Sequence, residues 1–342
     1  MQAKNLDEIC LIPSASPNDI ISRSECKTRD FWGKLPLWIA PMSSLINLSN
    51  IDEFKLAGFN SILPRTVPYN DRIEFMKKGY TVAFGLNEAI DLLERENDGN
   101  IMWSICIDQA NGHMKKLIDT CRNLRDKFGD DIWIMTGNIA NPEMYVHYAK
   151  AGIDAVRIGI GSGNVCTTSI QTGIHYPMAS LIKNTWWVKQ KLKDSNEEYE
   201  SLPLIIADGG FTSISQIIKA LALGADAVML GRIIAQMKEA CGPIIWDEGI
   251  QKRLYYGMST ERAQGEINST KLGSPSFLKK SEGAEKFVDI VTTMDDFIKD
   301  FEHALSSCMS YTGHTDIRDF IGKIKYHSMN PTTLNKNGKY MR

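Results

Sequence analysis

The sequence predicts one α/β domain over residues 1–342, built as a closed (β/α)8 barrel, the TIM barrel. Three observations support this fold class: eight short apolar runs rich in β-branched residues, amphipathic stretches between them, and polar or glycine residues directly after most runs. Apolar runs too short for helices are typical of parallel strands that are buried on both faces. Eight strand–helix units within about 250 residues favour a closed barrel, and an open doubly wound sheet is the alternative.

The eight predicted strands recur along the chain with longer stretches between them. They are residues 37–40, 60–63, 81–84, 103–107, 132–135, 155–160, 204–207 and 227–230. Helical periodicity is clearest in residues 114–129 and 214–224. Residues 257–285 are polar and dotted with glycine, which predicts a long mobile flap after the eighth strand. A helix over residues 294–309 is expected to close the barrel, and residues 327–342 are expected to form a mobile tail.

The composition excludes several functional classes. The 342 residues carry a formal net charge of −2 and are 43% hydrophobic, so the sequence indicates neither nucleic acid nor a membrane as a partner. No apolar run approaches the roughly 18 residues of a membrane span, and the N-terminus lacks a signal-peptide core. Seven cysteines without a C-x-x-C pair favour a reducing compartment over a disulfide framework or a zinc site. We therefore expect a cytoplasmic protein.

The loop after the sixth predicted strand, IGIGSGNVCTTSIQTG (158–173), is the strongest candidate for a functional site. Glycine lets successive backbone amides point into one concavity, which can bind phosphate. Cys166 lies where a phosphate-bound ligand would present its reactive end, and nearby amide dipoles would favour the nucleophilic thiolate. Tight turns and a buried cysteine are the alternative explanation, and we expect Cys106, Cys121 and Cys308 to be small buried hydrophobes.

Glycines and carboxylates also follow the neighbouring strands. The sequence ADGG (207–210) ends the seventh strand and Gly231 follows the eighth, and the last two βα loops of many barrels hold a phosphate. Asp108, at the end of the fourth strand, could accept hydrogen bonds from a ribose, as could Asp208, or each could cap the next helix. The six histidines show no metal-ligand spacing, and a structural role is expected for His175.

Several motifs occur together along the chain: LDEICLIPS, SRSE, LPLWIAPM, IDQANGH, GIGSGNVCTT followed by QTGIHYP, ADGG, GADAVMLG and YYGMS. From about residue 6 to about residue 325 this set resembles the inosine monophosphate dehydrogenase / guanosine monophosphate reductase family. The resemblance implies a (β/α)8 barrel, usually a homotetramer, in which a purine 5′-monophosphate meets a nicotinamide cofactor. The chain has no room for the regulatory tandem domain that many dehydrogenases insert into the barrel.

The resemblance also implies a role for individual residues. Cys166 would add covalently to purine C2, with Thr168 assisting. The implied substrate-binding residues are Met42, Gly163, Asn164, Asp208, Gly209, Gly210, Gly231, Arg232, Tyr255, Met258, Ser259 and Lys279. The implied cofactor-binding residues are Asp108, Asn138 and Gly159. A potassium ion, as in related enzymes, would bind the backbone carbonyls of Gly161, Gly163 and Cys166.

The two branches of the family differ in the flap. Dehydrogenases hydrolyse their covalent intermediate with an Arg-Tyr pair, which is absent between Met258 and Glu285, whereas reductases carry an SEG motif, matched here at 281–283. The resemblance therefore implies reduction of GMP to IMP and ammonia by NADPH, or by NADH, with Glu282 and Thr168 relaying a proton to the ammonia. The alternatives are oxidation of IMP to XMP with NAD, and a divergent purine-nucleotide oxidoreductase or nucleotide-binding sensor.

The chain departs from the family pattern at several positions. Arg232 stands where family members have a small residue, Ser43 replaces an aspartate, and Lys279 replaces an arginine of the reductases. Pro-Arg at 64–65 replaces a His-Lys pair, and the segment 182–202 is longer than usual. These departures leave the choice of nucleotide and cofactor open.

Overall fold

The structure is a computed structural model, and it describes residues 2–30, 32–96, 101–195, 201–269 and 283–329. A short strand, β1 (Ile9–Leu11), precedes eight parallel strands that close into a barrel in sequence order, which confirms the predicted TIM barrel. The barrel strands are β2 (Leu37–Ile39), β3 (Asn60–Leu63), β4 (Thr81–Phe84), β5 (Trp103–Asp108), β6 (Ile132–Ile139), β7 (Ala155–Ile158), β8 (Leu204–Asp208) and β9 (Ala227–Leu230). Each corresponds to one predicted strand, and the largest difference is in β6, which runs four residues beyond the predicted end.

Helices follow the barrel strands and cover the outside of the sheet. They are α1 (Ile51–Leu56), α2 (Tyr69–Lys77), α3 (Leu86–Asp91), α4 (Lys115–Phe128), α5 (Met144–Lys150), α6 (Thr168–Thr172), α7 (Met178–Lys193), α8 (Ile214–Leu223) and α9 (Arg232–Ala235). Both helices predicted from periodicity are present, as α4 and α8. Helix α8 has a capping bond from the Gln216 amide to the Ser213 hydroxyl at its start and Gly224 directly after its end, as helix-boundary preferences require.

The barrel interior is filled by apolar side chains from opposite strands. Trp38 on β2 and Trp133 on β6, the first and fifth strands of the barrel, stack with their ring centroids 5.5 Å apart. Strands β7 and β9 are buried at every position, as expected for parallel strands covered on both faces. The interior is therefore a packed core, and a functional site is expected at the rim formed by the carboxyl ends of the strands.

Two small antiparallel sheets lie outside the barrel, and the sequence analysis predicts neither. Strands β10 (Ile244–Asp247), β11 (Ile250–Tyr256) and β12 (Glu285–Asp289) form a three-stranded sheet after the last barrel strand. Strand β13 (Tyr326–Ser328) pairs with β1 and joins the two ends of the described chain. The expected tail therefore begins inside a paired strand, and residues 330–342 lie outside the described residues.

The expected flap begins with regular structure. Helix α10 (Glu261–Ser269) occupies its first part, and residues 270–282 lie outside the described residues. The predicted closing helix is present as α11 (Met294–Thr312), and a short helix, α12 (Ile317–Phe320), follows. No helix within the described ranges is long and apolar enough to cross a membrane.

Candidate active site

A cavity of about 520 Å³ opens at the carboxyl ends of the barrel strands. Its size is typical of a site for a small molecule. It is lined by the described residues that the sequence analysis assigns to substrate, cofactor, cation or catalysis: Met42, Asp108, Asn138, Gly159, Gly161, Gly163, Asn164, Cys166, Thr168, Asp208, Gly209, Gly210, Gly231, Arg232, Tyr255, Met258 and Ser259. Lys279 and Glu282 lie outside the described residues.

The cysteine loop and the ADGG loop pack directly against each other. The backbone of Gly210 has a positive φ of 86°, and a Cβ at that position would lie 2.8 Å from the carbonyl oxygen of Ser162. The Ser162 hydroxyl is buried and has no hydrogen-bond partner within the described residues. Glycines with positive φ can point backbone amides into one concavity, and the buried Ser162 hydroxyl needs a hydrogen-bond partner. A bound phosphate could accept hydrogen bonds from both.

The Cys166 thiol sits at the end of this loop beside a hydroxyl. Its Sγ lies 3.3 Å from Thr168 Oγ1, and its backbone amide donates to the Gly163 carbonyl at 3.0 Å. The side chain is partly exposed to the cavity. A thiol beside a hydroxyl, both facing an open cavity, can combine covalent attack with proton transfer.

Three other cysteines provide a chemical contrast. Burial raises the pKa of Cys106 and of Cys121 to about 12 and that of Cys308 to about 11, so all three thiols stay protonated at neutral pH. Cys106 and Cys121 are fully buried, as expected, whereas Cys308 is only partly buried. All seven cysteines lie within the described residues as free thiols.

A buried arginine holds the two carboxylates of the cavity. Arg157 on β7 is only 7% exposed; its Nη1 donates to Asp108 at 2.6 Å and its Nη2 donates to Asp208 at 2.7 Å. The Asn138 amide donates to the same oxygen of Asp208 at 2.8 Å. Burial opposes the charged form of the guanidinium, but Asp208 and Asp108 hold the pKa of Arg157 well above its usual value.

The sequence analysis assigns no role to Arg157, because its candidate residues lie in loops and at strand ends and not inside the strands. The signal was present: an arginine inside the apolar run AVRI of a strand buried on both faces requires a buried counter-charge. Arg65, two residues after β3, also lines the cavity, and the sequence analysis assigns it no binding role. Helix α10, which was not predicted, contributes Gln264, Ile267 and Asn268 to the cavity wall.

Strand β12 brings the chain back to the cysteine loop. Gly283 forms an isolated antiparallel bridge with Cys166, and the Ala284 amide donates to the Val165 carbonyl at 2.8 Å. Lys286 Nζ donates to the Asn164 carbonyl at 2.9 Å. The chain neighbour of Glu282 is therefore in backbone contact with the cysteine.

The residues that the sequence analysis assigns to a nicotinamide cofactor border the same cavity. The ends of β5 and β6 present the Asp108 carboxylate and the Asn138 amide to the space that Cys166 faces. For potassium, the Gly161 carbonyl accepts a bond from the Ser169 hydroxyl at 3.0 Å and the Gly163 carbonyl accepts one from Cys166. Each carbonyl oxygen has a second lone pair that could bind a cation. The residues present therefore fit both a nicotinamide cofactor and a potassium ion.

Comparison with known proteins agrees with this geometry. A family profile described as "IMP dehydrogenase / GMP reductase domain" matches residues 86–339. A GMP reductase from Staphylococcus epidermidis is 29% identical over 93% of this chain and 94% of its own length, and one from Helicobacter pylori is 29% identical over 91% and 92%. An inosine-5′-monophosphate dehydrogenase from Aquifex aeolicus is 33% identical over 65% of this chain, which spans 44% of that protein.

The Arg157 cluster predicts a pH-dependent loss of stability. Arg157→Met leaves two partly buried carboxylates without their cation and should lower the free energy of unfolding by about 3–5 kcal/mol at neutral pH. Without the cation the protonated carboxyls are favoured, so the deficit should shrink as the pH falls from about 8 to about 5. Urea denaturation at several pH values measures both effects.

Arg122→Met is the matched control, since Arg122 pairs with Asp119 on the exposed face of α4. Its effect should stay below about 1 kcal/mol. Equal effects of the two substitutions, or a deficit for Arg157→Met that does not change with pH, would contradict the assigned role of the cluster.

Proposed function

The chain belongs to the IMP dehydrogenase / GMP reductase family, and we propose that within it this protein is a GMP reductase, which converts GMP to IMP and ammonia with a reduced nicotinamide cofactor. The observation that carries the proposal is the Cys166 thiol, 3.3 Å from the Thr168 hydroxyl and in backbone contact with Gly283 of the SEG motif. The near full-length similarity to GMP reductases supports the same branch.

The proposed chemistry uses three side chains of this chain. The Cys166 thiolate attacks C2 of the guanine base and forms a carbon–sulfur bond. The amino group at C2 then leaves as ammonia, with its proton supplied by a relay of Thr168 and Glu282. The reduced cofactor, NADPH or NADH, supplies a hydride to C2 when bound. The carbon–sulfur bond then breaks and Cys166 leaves as the thiolate, which yields IMP.

The same proposal assigns binding roles around the cavity. The backbone amides of Gly209 and Gly210, with Ser162 and Arg232, would hold the 5′-phosphate, and Asp208 would accept hydrogen bonds from the ribose hydroxyls. Burial raises the pKa of Tyr255 far above its usual range. Its hydroxyl therefore remains a hydrogen-bond donor for the phosphate.

The remaining groups face the base, the cofactor and a cation. Met258 and Ser259 would contact the base, and Asp108 and Asn138 would orient the nicotinamide. A potassium ion would be held by the carbonyls of Gly161, Gly163 and Cys166.

IMP dehydrogenase activity is the second candidate. The similarity to an inosine-5′-monophosphate dehydrogenase favours it, whereas the absence of an Arg-Tyr dipeptide between Met258 and Glu285 argues against hydrolysis of a covalent intermediate. Product analysis distinguishes the two reactions. Incubation with GMP and NADPH should give IMP and ammonia, whereas net formation of XMP from IMP and NAD would establish the dehydrogenase.

The nucleophile can be tested by removing its sulfur. Cys166→Ala should abolish turnover, since no carbon–sulfur bond can form, while the affinity for GMP stays within about threefold because the phosphate and ribose contacts remain. Steady-state kinetics and calorimetric binding measure the two quantities. Cys308→Ala is the matched control and should retain activity; near-normal turnover in Cys166→Ala would end the covalent mechanism.

The role of Glu282 is tested by separating deamination from hydride transfer. Glu282→Gln keeps the shape of the side chain but removes the proton relay, so GMP-dependent NADPH oxidation should fall about 10²–10⁴-fold. The partial reaction of IMP with oxidised cofactor releases no ammonia and should change much less. Glu285→Gln, an exposed glutamate three residues further on, serves as the control. Equal loss of both reactions in Glu282→Gln would indicate a structural role.

We also propose a homotetramer, supported by the surface of the β10–β12 sheet. Ile244 and Trp246, two residues apart on β10, are exposed on one face of this sheet, and Trp246 is 69% exposed. Clustered exposed apolar side chains are typical of protein interfaces. Trp246→Ser should shift the sedimentation coefficient towards smaller species, whereas Trp32→Ser, which alters an exposed tryptophan elsewhere, should not. A wild-type protein that sediments as a monomer would contradict the proposal.

A further inference from the structure

A carboxylate on α10 connects this helix to the first barrel loop and to the end of β11. Glu266 Oε2 accepts a hydrogen bond from the Ser43 hydroxyl at 2.7 Å, and Glu266 Oε1 accepts one from the Tyr256 hydroxyl at 2.8 Å. The Ser43 and Tyr256 hydroxyl oxygens lie 3.0 Å apart. Both oxygens of one carboxylate are thus bound by hydroxyls from two other elements of the chain.

The chemistry of the cluster makes it a strong contact. Hydrogen bonds to an ionised carboxylate are shorter and stronger than those between neutral groups. Burial, together with the bond to Glu266, raises the pKa of Tyr256 to about 12, so its hydroxyl remains a donor at neutral pH. The carboxylate of this cluster comes from Glu266 on α10.

Helix α10 depends on such contacts for its position. It has nine residues and contains Gly265, and isolated helices shorter than about 12–15 residues are marginal in water. Its buried apolar contacts come mainly from Ala263, which packs on Leu254 and Tyr256, and from Ile267. The Glu266 cluster adds directional contacts that fix which face of the helix turns towards the barrel.

The position of α10 sets the shape of the cavity at two walls. Gln264, Ile267 and Asn268 line the cavity from the helix, and Gln264 Nε2 donates to the carbonyl of Ser259 at 2.8 Å. On the other side of the cluster, Met42 lines the cavity and is the chain neighbour of Ser43. The cluster therefore ties together the elements that carry Met42 and Ser259.

We propose that Glu266 is a positioning residue: its carboxylate, bound by Ser43 and Tyr256, docks α10 against the barrel and so shapes the wall that receives the purine base. The identity of the base rests on the proposed function, whereas the docking of α10 does not. Because the docked wall would contact the nucleotide in the ground state and in the transition state alike, its loss should weaken binding more than it slows the chemical step.

The test moves the carboxylate from one side of the cluster to the other. Glu266→Gln should speed amide hydrogen exchange across residues 261–269 and raise the KM for GMP about tenfold, with kcat changed less than about threefold. Ser43→Asp alone places two carboxylates against each other and should have a similar or larger effect. The double variant S43D/E266Q again has one carboxylate, which can accept from Tyr256 and from the new amide, and should return both measurements towards wild type.

Two further variants keep the test decisive. Glu261→Gln changes an exposed glutamate of the same helix and should behave as wild type. Tyr256→Phe removes one hydrogen-bond donor to Glu266, so its exchange rates and KM should lie between those of wild type and Glu266→Gln. This variant tests the same cluster if the other variants fold poorly.

Each outcome bears on one of the two proposals. The positioning role would be overturned if amide hydrogen exchange across residues 261–269 were equally fast in Glu266→Gln and in Glu261→Gln. It would also be overturned if S43D/E266Q had exchange rates and a KM no closer to wild type than the more strongly affected single variant. A wild-type protein that does not reduce GMP, with α10 exchange still responding to Glu266→Gln, would overturn only the proposed function.

Discussion

The buried guanidinium of Arg157 is the interaction on which the rest of the site depends. A closed parallel barrel brings the carboxyl ends of its strands to one rim, and here that rim includes Asp108 from β5 and Asp208 from β8. Two carboxylates near each other in a partly buried cavity repel one another and favour protonation. Arg157, on β7, one of the two strands between them in the barrel order, offsets the charge of both and fixes one oxygen of each.

The backbone then brings the cysteine to this charged centre. A Cβ on Gly159, whose φ is 130°, would lie 2.2 Å from the carbonyl oxygen of Asp208, so the cysteine loop leaves β7 in direct contact with the end of β8. The Asn138 amide donates both to the Gly159 carbonyl and to Asp208 and connects β6 to the same point. Carboxylate, amide and thiol thus face one cavity because neighbouring strand ends are held together.

The limits of sequence reasoning follow from what each residue contacts. The barrel strands were predictable because burial on both faces leaves a continuous apolar run, and the rim residues followed from the ends of those runs. The hairpin of β10 and β11 was missed although Glu248 and Gly249 have the positive φ angles of a tight hairpin turn, because its strands mix exposed apolar residues with charges. Arg157 and α10 were missed because burial of a charge and docking of a polar helix depend on partners distant in sequence. Ser43 and Glu266 are 223 residues apart, and no local pattern connects them.

The region after the barrel contacts the rim of the cavity at two separate points. At one point the Glu266 carboxylate fixes α10 to the first barrel loop, and at the other Gly283 pairs with Cys166. The contacts at α10 and at Gly283 are made within the protein itself, before any ligand binds. The two walls that this region supplies are therefore preorganised, and a preorganised site costs less of a ligand's binding free energy than one that must order on binding.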